Sequence, residues 1–327
     1  MAFMLNVFNS NLKNKTMRNI FLFLTVLIFS VNGFGQTIDS TVAKLKDATP
    51  KTKIYHINRP MVSVIIGGGM VANVLGVGRM KNKPSLTLEE LNFLSSPEQI
   101  AHISAFDRWG LRQKASDRDK FNKLSSNSLA GMVFLPCFLM LDKKIQKDWG
   151  DLLLMYVEGH TITLANYCYN FLGPTYIERY RPRTYYTEFP IVTRESGQNR
   201  NSFYSGHVAS AAYSTFFMAK VYCDYNPNIS GGGKCLIYTA ATIPPLVMAY
   251  LRIKALDHFP SDNAVGLVIG AAIGIIVPEL HKNKADKRFS LGMYTAPEGM
   301  GLSLNWKIGN KQLLSSINEP SKTNKNL

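Results

Sequence analysis

Long apolar segments alternate with polar stretches along this chain. Six of these segments are too long and too continuously apolar to be strands, so each predicts a helix. They cover residues 60–78, 128–141, 151–173, 205–222, 235–251 and 263–278. The last segment also carries small residues at a spacing that lets neighbouring helices pack closely. These small residues are Gly266, Gly270, Ala271, Ala272 and Gly274. The pattern predicts an all-α helical bundle.

Local signals add detail to this outline. Pro244 and Pro245 should kink the helix that carries them. Within the polar stretch 79–123, a helix should begin at Ser85 or Thr87, because acidic residues follow at the positive end of its dipole. This stretch is predicted to be a surface helical region outside the apolar bundle.

The C-terminal tail, 283–327, has a different pattern. Apolar residues alternate with other residues over 289–293 and again over 302–308, and residues 296–299 between them favour a turn. This alternation predicts a small β-hairpin.

The N-terminus resembles an export signal. Basic residues precede an uncharged run at 20–31, and the small residues Gly33 and Gly35 follow at the spacing that a signal peptidase requires. We expect a signal peptide over 1–35; an uncleaved anchor is the alternative. The mature chain then divides into an N-terminal region, a helical core and a tail, at residues 36–125, 126–282 and 283–327.

Composition adds two constraints. Charged residues make up 18% of the 327 residues, below the roughly 25% usual for soluble domains, and the formal net charge is +15. The excess of cations suits an anionic membrane surface or a phosphate-bearing substrate. Nucleic-acid binding is not expected, because the basic residues are spread over loops without interleaved aromatic residues. The four cysteines are expected to be buried and reduced, with a Cys223–Cys235 disulfide as the alternative.

The first of three polar blocks follows the helix at 151–173. Arg179, Arg181 and Arg183 place three guanidinium groups within five residues, which favours oxyanion binding; a solvated basic turn is the alternative. Within the preceding helix, Glu158 and His160 are ionisable residues in an apolar segment. A functional role is one reading of this pair; a structural one, in which the pair anchors the arginines or faces a polar groove, is favoured.

The second block opens the helix at 205–222. Ser205 should act as its N-cap, and Gly206 lets a ligand approach the backbone closely. The unpaired N–H groups of a helix start bind phosphate readily. His207, on the first turn, could donate a proton to a leaving oxygen.

The third block joins the last two apolar segments. Pro260 fits a first helical turn, and this places Asp262 close behind His258, where its carboxylate can hold one ring nitrogen. The other nitrogen is then free to attack phosphorus. Arg252, just upstream, adds a charge suited to an anion. Together the blocks match the needs of phosphoryl transfer without a metal or cofactor.

The order of these blocks, R-P, then S-G-H, then R-x5-H-x3-D, resembles the type 2 phosphatidic acid phosphatase family. This family shares its fold with vanadium haloperoxidases and bacterial non-specific acid phosphatases. The resemblance covers about 126–282, and the third block matches in full apart from its leading Ser, here Leu251. It implies a helical bundle that removes phosphate from a lipid phosphate or diphosphate without a metal ion.

The resemblance also implies a role for each matching residue. His258 is the nucleophile, His207 protonates the leaving group, and Asp262 orients and activates His258. The residues implied in phosphate binding are Arg181, Arg252, Ser205 and Gly206.

Two positions depart from the family pattern. Pro174 stands where the family has a Lys, so one phosphate-binding cation is missing, and Tyr204 stands where the second motif usually begins with Pro. Arg179 or Arg183 is expected to substitute for the Lys.

Membrane association and an external site are expected. Six apolar segments exceed what a helical core usually needs, although a mean hydropathy of −0.03 keeps a soluble periplasmic bundle as an alternative. The loops at 143–147 and 282–288 are basic and lie on the opposite side from the three blocks. The positive-inside rule then places the site on the periplasmic face of a bacterial-type cell envelope. For the three blocks to face outward, either the signal segment stays in place as a first membrane span or the segment 60–78 does not cross the membrane completely.

The leading hypothesis is therefore a phosphatase acting on phosphatidic acid, phosphatidylglycerophosphate or a polyprenyl diphosphate. Its partners would be the lipid substrate and membrane lipids. The alternatives are a soluble non-specific acid phosphatase, a vanadate-dependent haloperoxidase, and a lipid-phosphate-binding scaffold without turnover.

Overall fold

The computed structural model describes residues 53–171 and 173–283, together with the backbone of 289–296 and 299–306. The predicted signal peptide and most of the C-terminal tail lie outside these residues. The domain boundaries at 35 and 125 stay predictions.

Helices dominate the described residues. The α-helices are α1 (Arg59–Lys81), α2 (Leu88–Leu94), α3 (Pro97–His102), α4 (Arg118–Phe134), α5 (Lys143–Gln146), α6 (Trp149–Tyr169), α7 (Ile191–Arg194), α8 (Gly206–Tyr225), α9 (Gly231–Ala241), α10 (Ile243–Lys254) and α11 (Pro260–His281). Single 3-10 turns cover Asp107–Leu111, Ala115–Asp117, Leu135–Leu141, Pro182–Tyr185 and Gly197–Arg200. Each of the six apolar segments falls on helical structure, so the prediction of a helical bundle is confirmed.

The helix α8 lies at the centre of the bundle. It packs against α4, α6, α9, α10 and α11, and its ring side chains Tyr213 and Phe217 are fully buried in the main core cluster. Tyr213 and Phe217 contact Leu152 and Met155 of α6 within that cluster. Because α8 begins at the second polar block, this packing fixes the position of that block.

Glycines of α11 allow it to lie directly against α8. A Cβ added at Gly266 would stand 2.6 Å from the carbonyl oxygen of Ser205, and one added at Gly274 would stand 2.8 Å from that of Tyr213. At Gly270 the added atom would overlap the backbone of Ala209. The predicted close approach through small residues is thus present, and it brings the start of α11 next to the start of α8.

The local signals are also present. The Thr87 hydroxyl accepts from the amide of Glu90, whose carboxylate accepts from the amide of Thr87, so a capping box starts α2 where the sequence predicts it. The Pro244–Pro245 pair lies in the first turn of α10, and the helix is interrupted just before it, between α9 and α10.

The two strands of the tail, β1 (Phe289–Ala296) and β2 (Gly299–Trp306), pair antiparallel. Phe289 lies opposite Trp306, and Ala296 lies opposite Gly299. Residues 297 and 298, where the turn is predicted, lie outside the described residues.

Four helical stretches of the described chain are long and apolar enough to cross a membrane. They are Arg59–Lys81, Ala115–Leu141, Gly231–Lys254 and Pro260–His281. This indicates membrane association. The apolar segments on α6 and α8 are not among the four; α8 is enclosed by other helices.

The cysteines are all free, which removes the alternative of a Cys223–Cys235 disulfide. Cys168 and Cys223 are buried, as expected. For Cys137 and Cys235 the expectation of burial is wrong, since both side chains are exposed.

Candidate active site

Backbone hydrogen bonds bring the three polar blocks together. The amide of Ser202, in the second block, donates to the carbonyl of Arg179 in the first at 2.9 Å. The amide of Arg183 donates to the carbonyl of Leu256 in the third block at 3.2 Å. Since Leu256 lies between α10 and α11, these bonds place the arginine block over the beginning of α11.

A single carboxylate contacts three of the four guanidinium groups in these blocks. Oδ1 of Asp257 accepts from Nη1 of Arg181 at 2.9 Å and from Nη1 of Arg183, and Oδ2 lies 2.8 Å from Nη2 of Arg252. Burial alone would raise the pKa of Asp257, but the charges of Arg252, Arg183 and Arg181 outweigh burial and hold this pKa well below its usual range. One negative charge thus faces three positive charges, which leaves a site with excess positive potential.

A turn with a strained backbone at Leu256 positions the Asp257 carboxylate beside these arginines. Leu256 has φ of 55°, in the left-handed region that a non-glycine residue seldom adopts. The amide of Asp257 donates back to the carbonyl of Arg252 at 3.1 Å. Such strain persists where the surrounding structure over-determines it, often at functional sites.

His258 is held as a neutral imidazole with one free nitrogen. Its Nδ1 lies 2.6 Å from the carbonyl oxygen of Ser202, and because a carbonyl only accepts, Nδ1 carries the proton. Burial lowers the pKa of His258 well below its ordinary value, and the charges of Arg181 and Arg252 lower it further. The Nε2 lone pair is therefore available as a nucleophile.

The position of Asp262 corrects the sequence-based expectation. Its Oδ2 lies 3.9 Å from Nδ1 of His258, beyond hydrogen-bond distance. This oxygen instead accepts from the Ser202 hydroxyl at 2.7 Å and from the Phe259 amide at 2.7 Å. The reason is that the start of α11 offers unpaired amide donors, which Asp262 caps. Asp262 therefore acts on His258 through Ser202, whose carbonyl holds the ring.

Arg179 also differs from its expected role. One of its terminal nitrogens donates to Asp262 at 2.5 Å and to the Ser261 hydroxyl at 2.9 Å, and the other donates to Asp107 at 2.7 Å. Two carboxylates thus occupy this guanidinium, so the prediction that it binds phosphate is corrected. Arg179 compensates the buried charge of Asp262.

His207 stands at the mouth of the site, on the first turn of α8, and is partly exposed. Burial lowers the pKa of His207 to about 3, with further lowering by the charges of Arg252 and Arg181. A bound phosphate would neutralise those charges and raise this pKa.

Three buried hydrogen-bond donors in the blocks have no hydrogen-bond partner among the described residues. They are Nε of Arg181, Nε of Arg252 and Oγ of Ser205. Ser205 precedes α8 as predicted, but its side chain makes no capping bond. An unsatisfied buried donor costs about 1–3 kcal/mol, so the three atoms together point to a hydrogen-bonding ligand. Gly206 follows Ser205, and a Cβ added there would stand 3.5 Å from the ring of Tyr167.

The start of α4 supports Arg252. Nη1 of Arg252 donates to Oγ of Ser125 at 3.0 Å and to Oδ1 of Asn122 at 3.2 Å. Arg252 is almost fully buried, 3% exposed, so these neutral acceptors hold its orientation without removing its charge.

Glu158 and His160 of α6 make structural contacts. Glu158 pairs with Nε2 of His281 at 2.6 Å, at the end of α11 opposite the site. His160 hydrogen-bonds the hydroxyl groups of Tyr156 at 2.8 Å and Ser214 at 3.2 Å. Both partners lie away from the arginine block, in agreement with the structural role favoured for this pair.

The two departures from the family pattern are both buried. Pro174 brings no charge to the site, and Tyr204 packs its ring against Tyr167 and donates its hydroxyl to Asn166 at 2.8 Å. Arg183, one expected substitute for the missing cation, is committed to Asp257.

Sequence reasoning missed three residues that organise the site: Asp257, Ser202 and Asp107. One signal was present for Asp257, because a cluster of buried arginines needs a carboxylate and Asp257 directly precedes His258. Nothing in the local sequence marks Asp107, which lies 72 residues before Arg179.

Within the described part of the chain, no group of three or more His, Cys, Asp or Glu residues could hold a metal ion. Residues 152–286 match the family model described as PAP2 superfamily. No curated protein and no solved structure matches the chain.

Proposed function

We propose that this chain is a metal-independent phosphatase acting on a lipid phosphate or diphosphate through a phosphohistidine intermediate, and the match of residues 152–286 to the PAP2 superfamily model supports this. The family suggests phosphatase activity on phosphate esters. The substrate class and the covalent intermediate are proposed from the geometry of the site.

The first step is attack by His258. Its Nε2 lone pair bonds to phosphorus while the bond between phosphorus and the leaving oxygen breaks. The leaving oxygen takes a proton from His207, positioned on the first turn of α8. The imidazole becomes cationic, and its Nδ1–H remains on the Ser202 carbonyl, close to the negative charge of Asp262.

The second step returns the enzyme to its starting state. Water attacks the phosphorus of phosphohistidine, the phosphorus–nitrogen bond breaks, and the now neutral His207 accepts a proton from the water. Inorganic phosphate leaves and the neutral imidazole of His258 is restored. Arg181 and Arg252 stabilise the charge on the transferring phosphoryl group in both steps.

The observation that carries this proposal is the set of unpartnered donors beside a neutral histidine. Nε of Arg181, Nε of Arg252 and Oγ of Ser205 are buried without partners, although most buried polar atoms in proteins are paired. The charges of both arginines act on both His207 and His258. A tetrahedral oxyanion supplies the acceptors that these donors lack.

Exposed apolar side chains next to the site support a lipid substrate. Asp107 contacts the start of α11 through Ser261, and Phe106 beside it is 63% exposed. Trp109, two residues further, is 44% exposed. Large apolar groups exposed near a polar site suit contact with lipid chains, and the four apolar helices support membrane association. We propose, from the basic loops, that it faces the periplasm.

The test is phosphate release by detergent-purified protein in EDTA. Phosphatidic acid, phosphatidylglycerophosphate, a polyprenyl diphosphate and p-nitrophenyl phosphate are compared by kcat/KM. We expect turnover that persists in EDTA, with a lipid substrate preferred over p-nitrophenyl phosphate. Binding of these lipids without release of phosphate on any of them would instead support a scaffold. Vanadate- and halide-dependent peroxidation would identify a haloperoxidase.

The role of His207 predicts a dependence on the leaving group. The variant His207→Ala should lose about 10²–10⁴-fold in rate on a lipid phosphate, the usual contribution of general acid catalysis. Its loss in the first turnover of p-nitrophenyl phosphate should be much smaller, since p-nitrophenolate leaves without a proton. Slow water attack should then produce a burst of one p-nitrophenol per enzyme in stopped-flow absorbance.

The matched control is His56→Ala, because His56 is exposed on the same chain. It should leave both rates unchanged. Equal losses on the two substrates for His207→Ala would contradict a role as general acid.

A further inference from the structure

Arg118 opens the helix that supports Arg252. Asn122 and Ser125, which both accept from Arg252, follow Arg118 by four and seven residues. Residues at this spacing lie on one face of an α-helix. The face of α4 that carries Arg118 is therefore the face that contacts the buried Arg252.

The Arg118 guanidinium lies within electrostatic reach of the site. Burial, together with the charges of Arg181, Arg118 and Arg252, lowers the pKa of Arg183 to about 9 despite the opposing charge of Asp257. The charge of Arg118 also acts on Arg252. Arg118 is thus a fourth cation beside a group of three that shares one buried carboxylate.

The bonding of Arg118 is incomplete. Its Nη1 pairs with Asp119 at 2.8 Å, but that carboxylate is 77% exposed, and exposed ion pairs contribute little. The Nε of Arg118 is buried without a partner among the described residues. It shares this property with Nε of Arg181 and of Arg252. A buried donor, on a guanidinium whose charge is paired only with an exposed carboxylate, calls for an anion.

The family pattern includes a phosphate-binding cation that this sequence lacks. Pro174 occupies the position of a phosphate-binding Lys and is buried, while Arg179 and Arg183 are each held by carboxylates. Arg118 lies outside the matched residues 152–286, so comparison of the motifs alone does not reach it.

We propose that Arg118 binds an oxygen of the substrate phosphate and supplies the cation that Pro174 does not. This deepens the proposed function by adding a phosphate-binding residue from α4. The forked guanidinium offers Nε and one terminal nitrogen to two acceptor oxygens.

The test compares Arg118→Ala with Lys123→Ala, a neighbouring exposed cation on α4. KM for the best substrate and the inhibition constant of inorganic phosphate should both rise roughly tenfold or more in Arg118→Ala, as expected for a charge-assisted hydrogen bond. The kcat should change less. Arg118→Lys should recover part of the loss, because it keeps the charge but not the fork. Lys123→Ala should match wild type.

Two outcomes would overturn the inference. One is an inhibition constant for phosphate within twofold of wild type in Arg118→Ala. The other is a fall in kcat alone, which a merely structural residue would produce. If Arg118→Ala does not fold, the ratio of inhibition constants between Arg118→Gln and Arg118→Lys decides, since Gln lacks the charge.

A binding measurement that needs no turnover separates the role of Arg118 from the proposed catalysis. Thermal stabilisation by inorganic phosphate reports binding without turnover. If wild type is inert on every substrate but phosphate raises its melting temperature, and does not do so in Arg118→Ala, the phosphate-binding role stands and catalysis fails. Equal stabilisation of both proteins contradicts the role of Arg118.

Discussion

The variant His258→Ala should lose turnover by about 10⁴-fold or more, the scale seen when one member of a nucleophile unit is removed. The physical reason is that Nε2 of His258 is the atom that bonds to phosphorus, and its neutral, Nδ1-protonated form is fixed by the Ser202 carbonyl. The same variant should form no phosphoenzyme. Brief incubation with ³²P-labelled substrate followed by denaturation should label wild type with an acid-labile, alkali-stable phosphate, and should leave His258→Ala unlabelled.

Two further variants make this result interpretable. His258→Gln keeps a polar side chain near the Ser202 carbonyl and limits the cavity in a site where His258 is 2% exposed. It should be equally inactive while eluting as wild type in size-exclusion chromatography. His102→Ala, on the exposed end of α3, should retain full activity. Phosphoenzyme that persists in His258→Gln would assign the nucleophile to another residue.

Among the variants described, Asp257→Asn should show the largest decrease in the free energy of unfolding. It removes the carboxylate shared by Arg181, Arg183 and Arg252, and all of these side chains are at most 16% exposed. Breaking a buried ion pair by removing one partner costs about 3–5 kcal/mol, because the remaining charge stays buried. We expect a clear fall in the free energy of unfolding, measured by denaturant titration in detergent.

An anion should partly reverse this loss. Inorganic phosphate supplies negative charge to the same guanidinium groups and should raise the melting temperature of Asp257→Asn more than that of wild type. The matched control is Asp119→Asn, which removes an exposed carboxylate paired with one arginine and should leave stability nearly unchanged. Wild-type stability in Asp257→Asn would show that this carboxylate does not hold the arginine cluster together.

The helices could be predicted from the sequence more completely than the pairing of charges in the site. The six apolar segments and the capping box at Thr87 were predictable because helix formation depends on local periodicity and local donors. A close approach of α11 to a neighbouring helix was predictable for a related reason, since the glycines that permit it belong to one helix, but only the structure identifies α8 as that neighbour. The three polar blocks could likewise be found, because each is a short run of residues suited to one chemical task.

The pairing of charges within the site could not be predicted in the same way. Arg179 was expected to bind phosphate, yet it compensates Asp262 and Asp107. Asp262 was expected to hold His258, yet Ser202 does so. Which carboxylate meets which guanidinium depends on differences of about an ångström in side-chain position, and these are set by packing between segments far apart in the sequence.

The sequence by itself therefore determined a helical protein with a set of His, Arg and Asp residues at the ends of its helices, and it predicted phosphate binding for that set. Only the tertiary structure decided how those residues divide into two groups. Asp257 with its arginines and Asp262 with Arg179 are separate ion clusters, and the charge of Arg118 acts on Arg183 of the first from a helix outside the matched residues. The physical reason is that electrostatic energy depends on distance in space and on burial, and neither is encoded in any short stretch of the chain.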